Sequence, residues 1–258
     1  MVSLQASRRA RPGPWYERPD VEAVQLLPNE GKSLTIAVDG VEWARLPIRT
    51  HTVMAKDDLT EVVTRYASPY LQPGDVIFLS ERMVAITQGR AIPIEDIRAS
   101  KLANMLVKFV YKSPYGIGIG SPWTMELAIR EVGVPRMLLG AAVAAATKPF
   151  GVRGVFYKVV GPKVRSIDGP TEHTLPPYNR YATLGPANPR KTARALSKAL
   201  GHEVVIIDAN DLGVNALGVS SKMIREEWAE AVFGDNPLGQ SDQRTPICLV
   251  RRAEQLNP

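Results

Sequence analysis

The run Val204-Val205-Ile206-Ile207, ending in Asp208-Ala209-Asn210-Asp211-Leu212-Gly213, constrains the fold of this chain more than any other segment. Its β-branched residues have the length and composition of a buried strand, and Gly213 permits a sharp exit from it. In an open α/β sheet, the residues just past the carboxyl end of a strand face the crevice where ligands bind. Asp208, Asn210 and Asp211 place two carboxylates and an amide there, an oxygen donor set suited to a hard cation such as Mg²⁺ or Mn²⁺. A second reading stays open: an Asx-type turn, with Asp208 or Asn210 bonded to its own backbone as the chain leaves the strand.

Around this strand, helices and strands alternate without a fixed period. Residues 34–38 form a strand, Asp39-Gly40 is a hairpin turn signal, and residues 41–48 alternate as its partner. Asp57-Asp58 leads a helix over 59–67 with acids at its positive end. Residues 76–79 make another buried strand, Ser80 caps a helix or irregular turn over 81–85, and 91–94 return as a strand. Ser100 caps a helix over 101–111, and Ser121-Pro122-Trp123 with Glu126 marks the start of one over 123–132. The Ala- and Gly-rich stretch 136–147 suits a tightly packed internal helix and is too short to cross a membrane. Two strands are expected at 154–160 and 164–167, then a helix over 191–200. After residue 213 come a segment at 214–218, a helix over 221–233 and a closing strand at 246–250. The mixture favours an α+β fold, with mixed, partly antiparallel sheets and flanking helices.

A chain of 258 residues can bury a substantial core, and its 45% apolar and 22% charged content is that of a globular protein. A lone cysteine, Cys248, cannot build a disulfide framework and is expected as a small buried hydrophobe; a reducing cytoplasm fits. The net charge of +6 points to an anionic partner. Part of it lies in Arg8, Arg9 and Arg11 of a polar, proline-containing leader over residues 1–25, expected to be flexible. No glycine-aromatic RNA motif or zinc knuckle accompanies it, so phosphorylated small molecules fit the scattered positive charge better than nucleic acid. Gly116-Ile117-Gly118-Ile119-Gly120 lacks the spacing of a dinucleotide loop. The turn-rich stretch 168–189, which holds His173, is long enough to suggest a functional loop. Trp43, Trp123 and Trp228 are expected in the core or at an interface.

Several segments, in this order, resemble the coenzyme F420 γ-glutamyl ligase family. Leu46-Pro47-Ile48-Arg49-Thr50-His51-Thr52 stands where that family begins its nucleotide contact. Residues 73–90 resemble its strand–helix signature, which closes in glutamate-glycine-arginine. Residues 204–213 are similar to its metal-binding strand end, and 238–247 to its C-terminal nucleotide loop and last strand. The resemblance implies a CofE-like fold of two interleaved subdomains over residues 26–258, as a cytoplasmic homodimer. It implies a ligase that joins glutamate, through its α-amine, to a carboxylate of a small phosphorylated deazaflavin precursor, using GTP with Mg²⁺ or Mn²⁺. Carried onto this chain, it puts Arg82 and Arg90 on the transferring phosphoryl group. It puts Arg49, Thr50, His51, Glu81, Gln240, Ser241 and Asp242 around the nucleotide, and Asp208, Asn210 and Asp211 on the metal.

The chain departs from the family pattern at four places. Ile86 stands for a lysine near the phosphates, Gln88 for the glutamate before glycine-arginine, and Asn210-Asp211 for an aspartate-threonine metal pair. Val159-Val160-Gly161-Pro162-Lys163 stands for an asparagine-alanine-glycine with a following aspartate. Lys163 then occupies a metal ligand's place with an ammonium that has no lone pair to offer. Two function classes follow. One is the ligase. The other is a non-catalytic relative that keeps the fold and binds a small anion or a protein partner.

Overall fold

A strand can be apolar at every position only if both its faces are covered. The computed structural model describes residues 26–110, 117–152, 154–172, 174–210, 213–239 and 243–256, and it puts 204–207 in such a place. Strands β1 (Thr35–Val38) and β2 (Val41–Ile48) form the expected hairpin, followed by helix α1 (Leu59–Ala67). Strand β3 (Val76–Ser80) runs into α2 (Glu81–Thr87), and short β4 (Ala91–Pro93) leads to α3 (Lys101–Leu106). Four helices follow: α4 (Pro122–Val132), α5 (Val134–Thr147), α6 (Val155–Val160) and α7 (Pro162–Arg165). Then come β5 (Tyr181–Thr183), α8 (Pro189–Leu200), the hairpin β6 (Glu203–Asn210) and β7 (Gly213–Val219), α9 (Glu226–Val232) and β8 (Ile247–Arg252).

The main sheet has the order β1-β2-β8-β3-β6-β7, and a second sheet pairs β4 with β5. Only β3 and β6 run parallel; the other pairs are antiparallel, so the fold is α+β with a mixed sheet. Period-two alternation divides the central strands between two cores. Ile77, Leu79, Val204 and Ile206 face α1, α2 and α8, where Val63, Met83 and Leu196 cover them. Phe78, Val205 and Ile207 face α9, and Phe233 stacks on Phe78 with ring centroids 4.3 Å apart. Trp228 belongs to that core, with Trp43 edge-on at 4.9 Å. Cys248 is fully buried there. A third core joins α3 to α7 with the β4–β5 sheet.

Two expected strands are helices. Residues 155–160 and 162–165 form α6 and α7, despite Val155, Val159, Val160, Val164 and Ile167. The reason is tertiary packing. Gly161, at φ +95°, separates the two helices, and Val160 of α6, Val164 of α7 and Ile167 just beyond it are each 1% exposed in the core they share with α4 and α5, which overrides β-propensity. The internal helix expected at 136–147 is also revised. Helix α5 buries only Met137 and Gly140, while Leu138 and Leu139 are 42% and 57% exposed. Gly140 explains the small residue on the buried side, since a methyl there would lie 2.6 Å from Val160 of α6. The helix expected over 101–111 gives way after Leu106 to a short 3₁₀ turn ending at Phe109. The one expected over 221–233 begins at Glu226. Ser121 caps α4 as expected, but its reciprocal partner is Thr124; Glu126 instead accepts from Ser100 N and Arg130. Trp123 is 36% exposed. Among the described residues, no helix is long and apolar enough to cross a membrane. The 1–25 leader lies outside the described residues.

Candidate active site

Because β3 and β6 run parallel, their carboxyl ends finish side by side, with Ser80 opposite Ile207. Ser80 closes β3 and caps α2 by accepting from Met83 N, which sets Glu81 and Arg82 at the sheet edge. Asp208 and Asn210 end β6 there, within the ladder to β7 rather than beyond the strand as expected; Asp208 pairs with Asn215 and Asn210 with Gly213.

Two loops wall the same edge. After β2, Thr50 N donates to Arg244 O at 2.8 Å and Arg49 Nε to Gln243 O at 3.0 Å, tying residues 49–50 to the approach to β8. His51 is held at both ring nitrogens: Nε2 lies 2.8 Å from Asp57 Oδ2, and Nδ1 lies 3.0 Å from the Tyr66 hydroxyl. The third wall comes from the turn-rich stretch. Asp168 and Thr183 exchange backbone bonds of 2.9 and 2.8 Å, which swings Asp168 to the cleft, and the Tyr178 hydroxyl donates to Val53 O. These walls enclose about 300 Å³.

The charges inside do not balance. Arg82 donates from Nη2 to Asp168 Oδ2 at 2.9 Å and from Nη1 to Thr174 Oγ1 at 3.3 Å. Glu81 and Asp208 sit nearby, and among the described residues neither has a cation of its own. Burial pushes the Glu81 carboxyl up to about 8, and the negative charges of Asp208 and Asp168 add to this against the pull of Arg82. Among the described residues, the buried Glu81 Oε1 has no hydrogen-bond partner. Burial also raises Asp208, opposed by the bond from Asn210 Nδ2, while Asp168 raises it further. Three acids around one guanidinium are what an added cation would relieve. The donors are all oxygen, and the orphaned Glu81 atom wants a partner, so the chemistry fits a hard divalent ion. Among the described residues, however, no three His, Cys, Asp or Glu side chains are gathered at metal-binding spacing.

Of the residues singled out from sequence, Thr50, His51, Glu81, Arg82, Asp208 and Asn210 line this one cleft. Asp211, Gln240, Ser241, Asp242 and His173 lie outside the described residues, although Gly239 and Gln243 line the cleft. Arg49 spends its Nε on Gln243 O and is absent from the lining. Arg90, expected on phosphate, is also absent from it. Its fork has found protein oxygens instead: Nη2 lies 3.0 Å from Glu131, and Nε donates to Gly185 O. Lys163, expected at a metal ligand's place, is 68% exposed and pairs with Glu131 at 3.2 Å. Asp168 and Tyr178 were missed. The available signal was Asp168 itself, an acid opening a long turn-rich stretch.

Comparison with known families agrees with this architecture. A family model described as F420-0:Gamma-glutamyl ligase matches residues 47–220, which is more than half of the chain. The chain belongs to the F420-0:gamma-glutamyl ligase family. The matched span carries Glu81, Arg82, Asp168 and Asp208 together. No curated protein matches the chain.

Proposed function

We propose that this protein is a nucleotide-dependent ligase that joins an amino acid, through its amine, to a carboxylate of a small phosphorylated substrate. The observation that carries this reading is the convergence of Glu81, Asp168 and Asp208 on Arg82 in one cleft, at the carboxyl ends of the parallel strands. A carboxylate is a poor acyl donor. Its oxygen must first attack the terminal phosphorus of a nucleoside triphosphate, releasing the diphosphate and forming an acyl phosphate. The amine then attacks the acyl carbon, and inorganic phosphate leaves as the amide forms.

In this scheme Arg82 exchanges Asp168 and Thr174 for oxygens of the transferring phosphoryl group, where a planar fork engages two at once. His51, fixed by Asp57 and Tyr66, and Thr50 form the nucleotide wall. Glu81, Asp168, Asp208 and the Asn210 amide would hold a divalent cation, which would supply neutralisation of phosphate charge. A second reading, a non-catalytic relative that binds a small anion, draws on the internal use of Arg90 and Lys163 and on there being no three-donor cluster among the described residues.

Calorimetry with GTP, ATP and Mn²⁺ separates the two. The ligase reading expects nucleotide binding that depends on Mn²⁺ and falls about 10-fold or more in Asp208→Ala and Arg82→Met. Binding of phosphate alone, without nucleotide or metal dependence, supports the non-catalytic relative. We also infer a homodimer, with α5 as part of its face: Leu138 and Leu139 are exposed on it, and Phe150, in the 3₁₀ turn that follows, is 80% exposed. Light scattering should give twice the chain mass of 28.2 kDa, and Leu139→Lys should halve it.

A further inference from the structure

The turn after β5 is strapped to α2 by side chains that do not line the cleft. Gln88 donates from Nε2 to Ala187 O at 3.1 Å and accepts at Oε1 from Ala187 N at 2.6 Å. Only an amide makes both bonds, since a carboxylate has no proton to donate there. Arg90 adds the second strap. Its N–H donates to Ala85 O in α2, its carbonyl accepts from Leu184 N, and its Nε donates to Gly185 O. Glu131 holds the other side of the guanidinium at 3.0 Å, with both side chains less than one-fifth exposed.

Gly185 rests on the acid of the cleft. A methyl on its Cα would lie 2.7 Å from Ser166 Cβ and 2.9 Å from Glu81 Oε1, closer than side chains pack. That oxygen is the one buried without a partner. Bare glycine therefore lets the turn lie directly on the Glu81 carboxyl and keep water from it.

We propose that Arg90, braced by Glu131, is a positioning residue: it clamps the Gly185 turn onto Glu81 and so holds that carboxyl dry beside Asp208 and Asp168. It touches no ligand and works through the turn. The inference takes from the ligase reading only that Glu81 serves the ligand.

The test reads Glu81 itself. Its carboxyl group is read by infrared difference spectroscopy over both the acid and the carboxylate regions, and its band is identified by its loss in Glu81→Gln. Arg90→Lys keeps a cation for Glu131 but lacks the fork, and Gly185→Ala keeps every ion pair while placing a methyl at the Glu81 oxygen. In both variants the band should move to the position of a hydrated carboxyl, with circular dichroism unchanged. An unmoved band in folded protein overturns the clamp and leaves Arg90 as structural glue. Should Arg90→Lys fail to fold, Glu131→Gln, which removes the charge that braces Arg90 and leaves the Gly185 turn untouched, decides in its place by the same band. Mn²⁺-dependent GTP affinity should fall about 10-fold in both, the scale on which supporting residues act. A moved band with unchanged affinity overturns the functional half. Wild-type protein that binds no nucleotide removes the ligase reading, and the band still decides the clamp.

Discussion

The two ends of β3 carry acids in opposite circumstances. Asp75, just before the strand, is 2% exposed and accepts from Arg251 Nη2 at 2.8 Å and from Gln72 N at 2.9 Å. Arg251 also donates to Tyr70 O, and although Asp75 Oδ1 and Arg251 Nε lack partners, the two charges cancel. Glu81, just after the strand, has no cation of its own among the described residues and meets two more acids. A buried charge left uncompensated costs stability, and such imbalance clusters at functional sites. One end of the strand holds the fold together. The other is under stress that a ligand can relieve.

Removing one partner should separate these ends sharply. Asp75→Ala strands the Arg251 guanidinium in the core and should cost about 3–5 kcal/mol in urea unfolding. A loss below about 1 kcal/mol would mean that water reaches Arg251 and the contrast is false. At the other end, Glu81→Gln should stabilise, and by an amount that depends on pH. The folded carboxyl, raised from 4.5 to about 8, keeps a proton that the unfolded chain releases. The Glu81 contribution to wild-type stability is thus undiminished below pH 4.5, falls as pH rises toward 8, and levels off above. The glutamine variant does not titrate there, so its advantage should grow between pH 5 and 9 by on the order of 4 kcal/mol. Equal unfolding midpoints at both pH values would remove the stress from this end.

How much of this could be read from sequence follows the same division. The central strands were legible because β3 and β6 are covered on both faces, which demands apolar residues at every position. Local caps were legible too: Ser80, Ser100 and Ser121 each accept from a backbone N–H three residues on. Helices α6 and α7 were not, because valine-rich composition speaks for strands while the burial of Val160 and Val164 answers to partners elsewhere in the chain. At the site, Asp208 and Asn210 announced themselves by following an apolar run. Asp168 did not, since its place is set by a bridge to Thr183 across the turn-rich loop. Arg90 looked like a phosphate ligand because its partner Gly185, 95 positions away, is invisible in local sequence.

The smallest stability effect belongs to the pair with the largest functional leverage. Arg82 and Asp168 are 43% and 65% exposed, and ion pairs of that kind contribute roughly 0–1 kcal/mol. Asp168→Asn should therefore unfold within about 1 kcal/mol of the wild type, unlike Asp75→Ala. Its binding should nevertheless change in two directions. Without metal, the carboxylate competes with any anion for Arg82, so inorganic phosphate should bind the variant more tightly. With Mn²⁺ and GTP the same carboxylate would serve as an oxygen donor, and affinity should fall. Calorimetry on one pair of proteins gives both signs. A change of the same sign in both titrations would reduce Asp168 to a surface charge and leave Glu81 and Asp208 as the acids of the cleft.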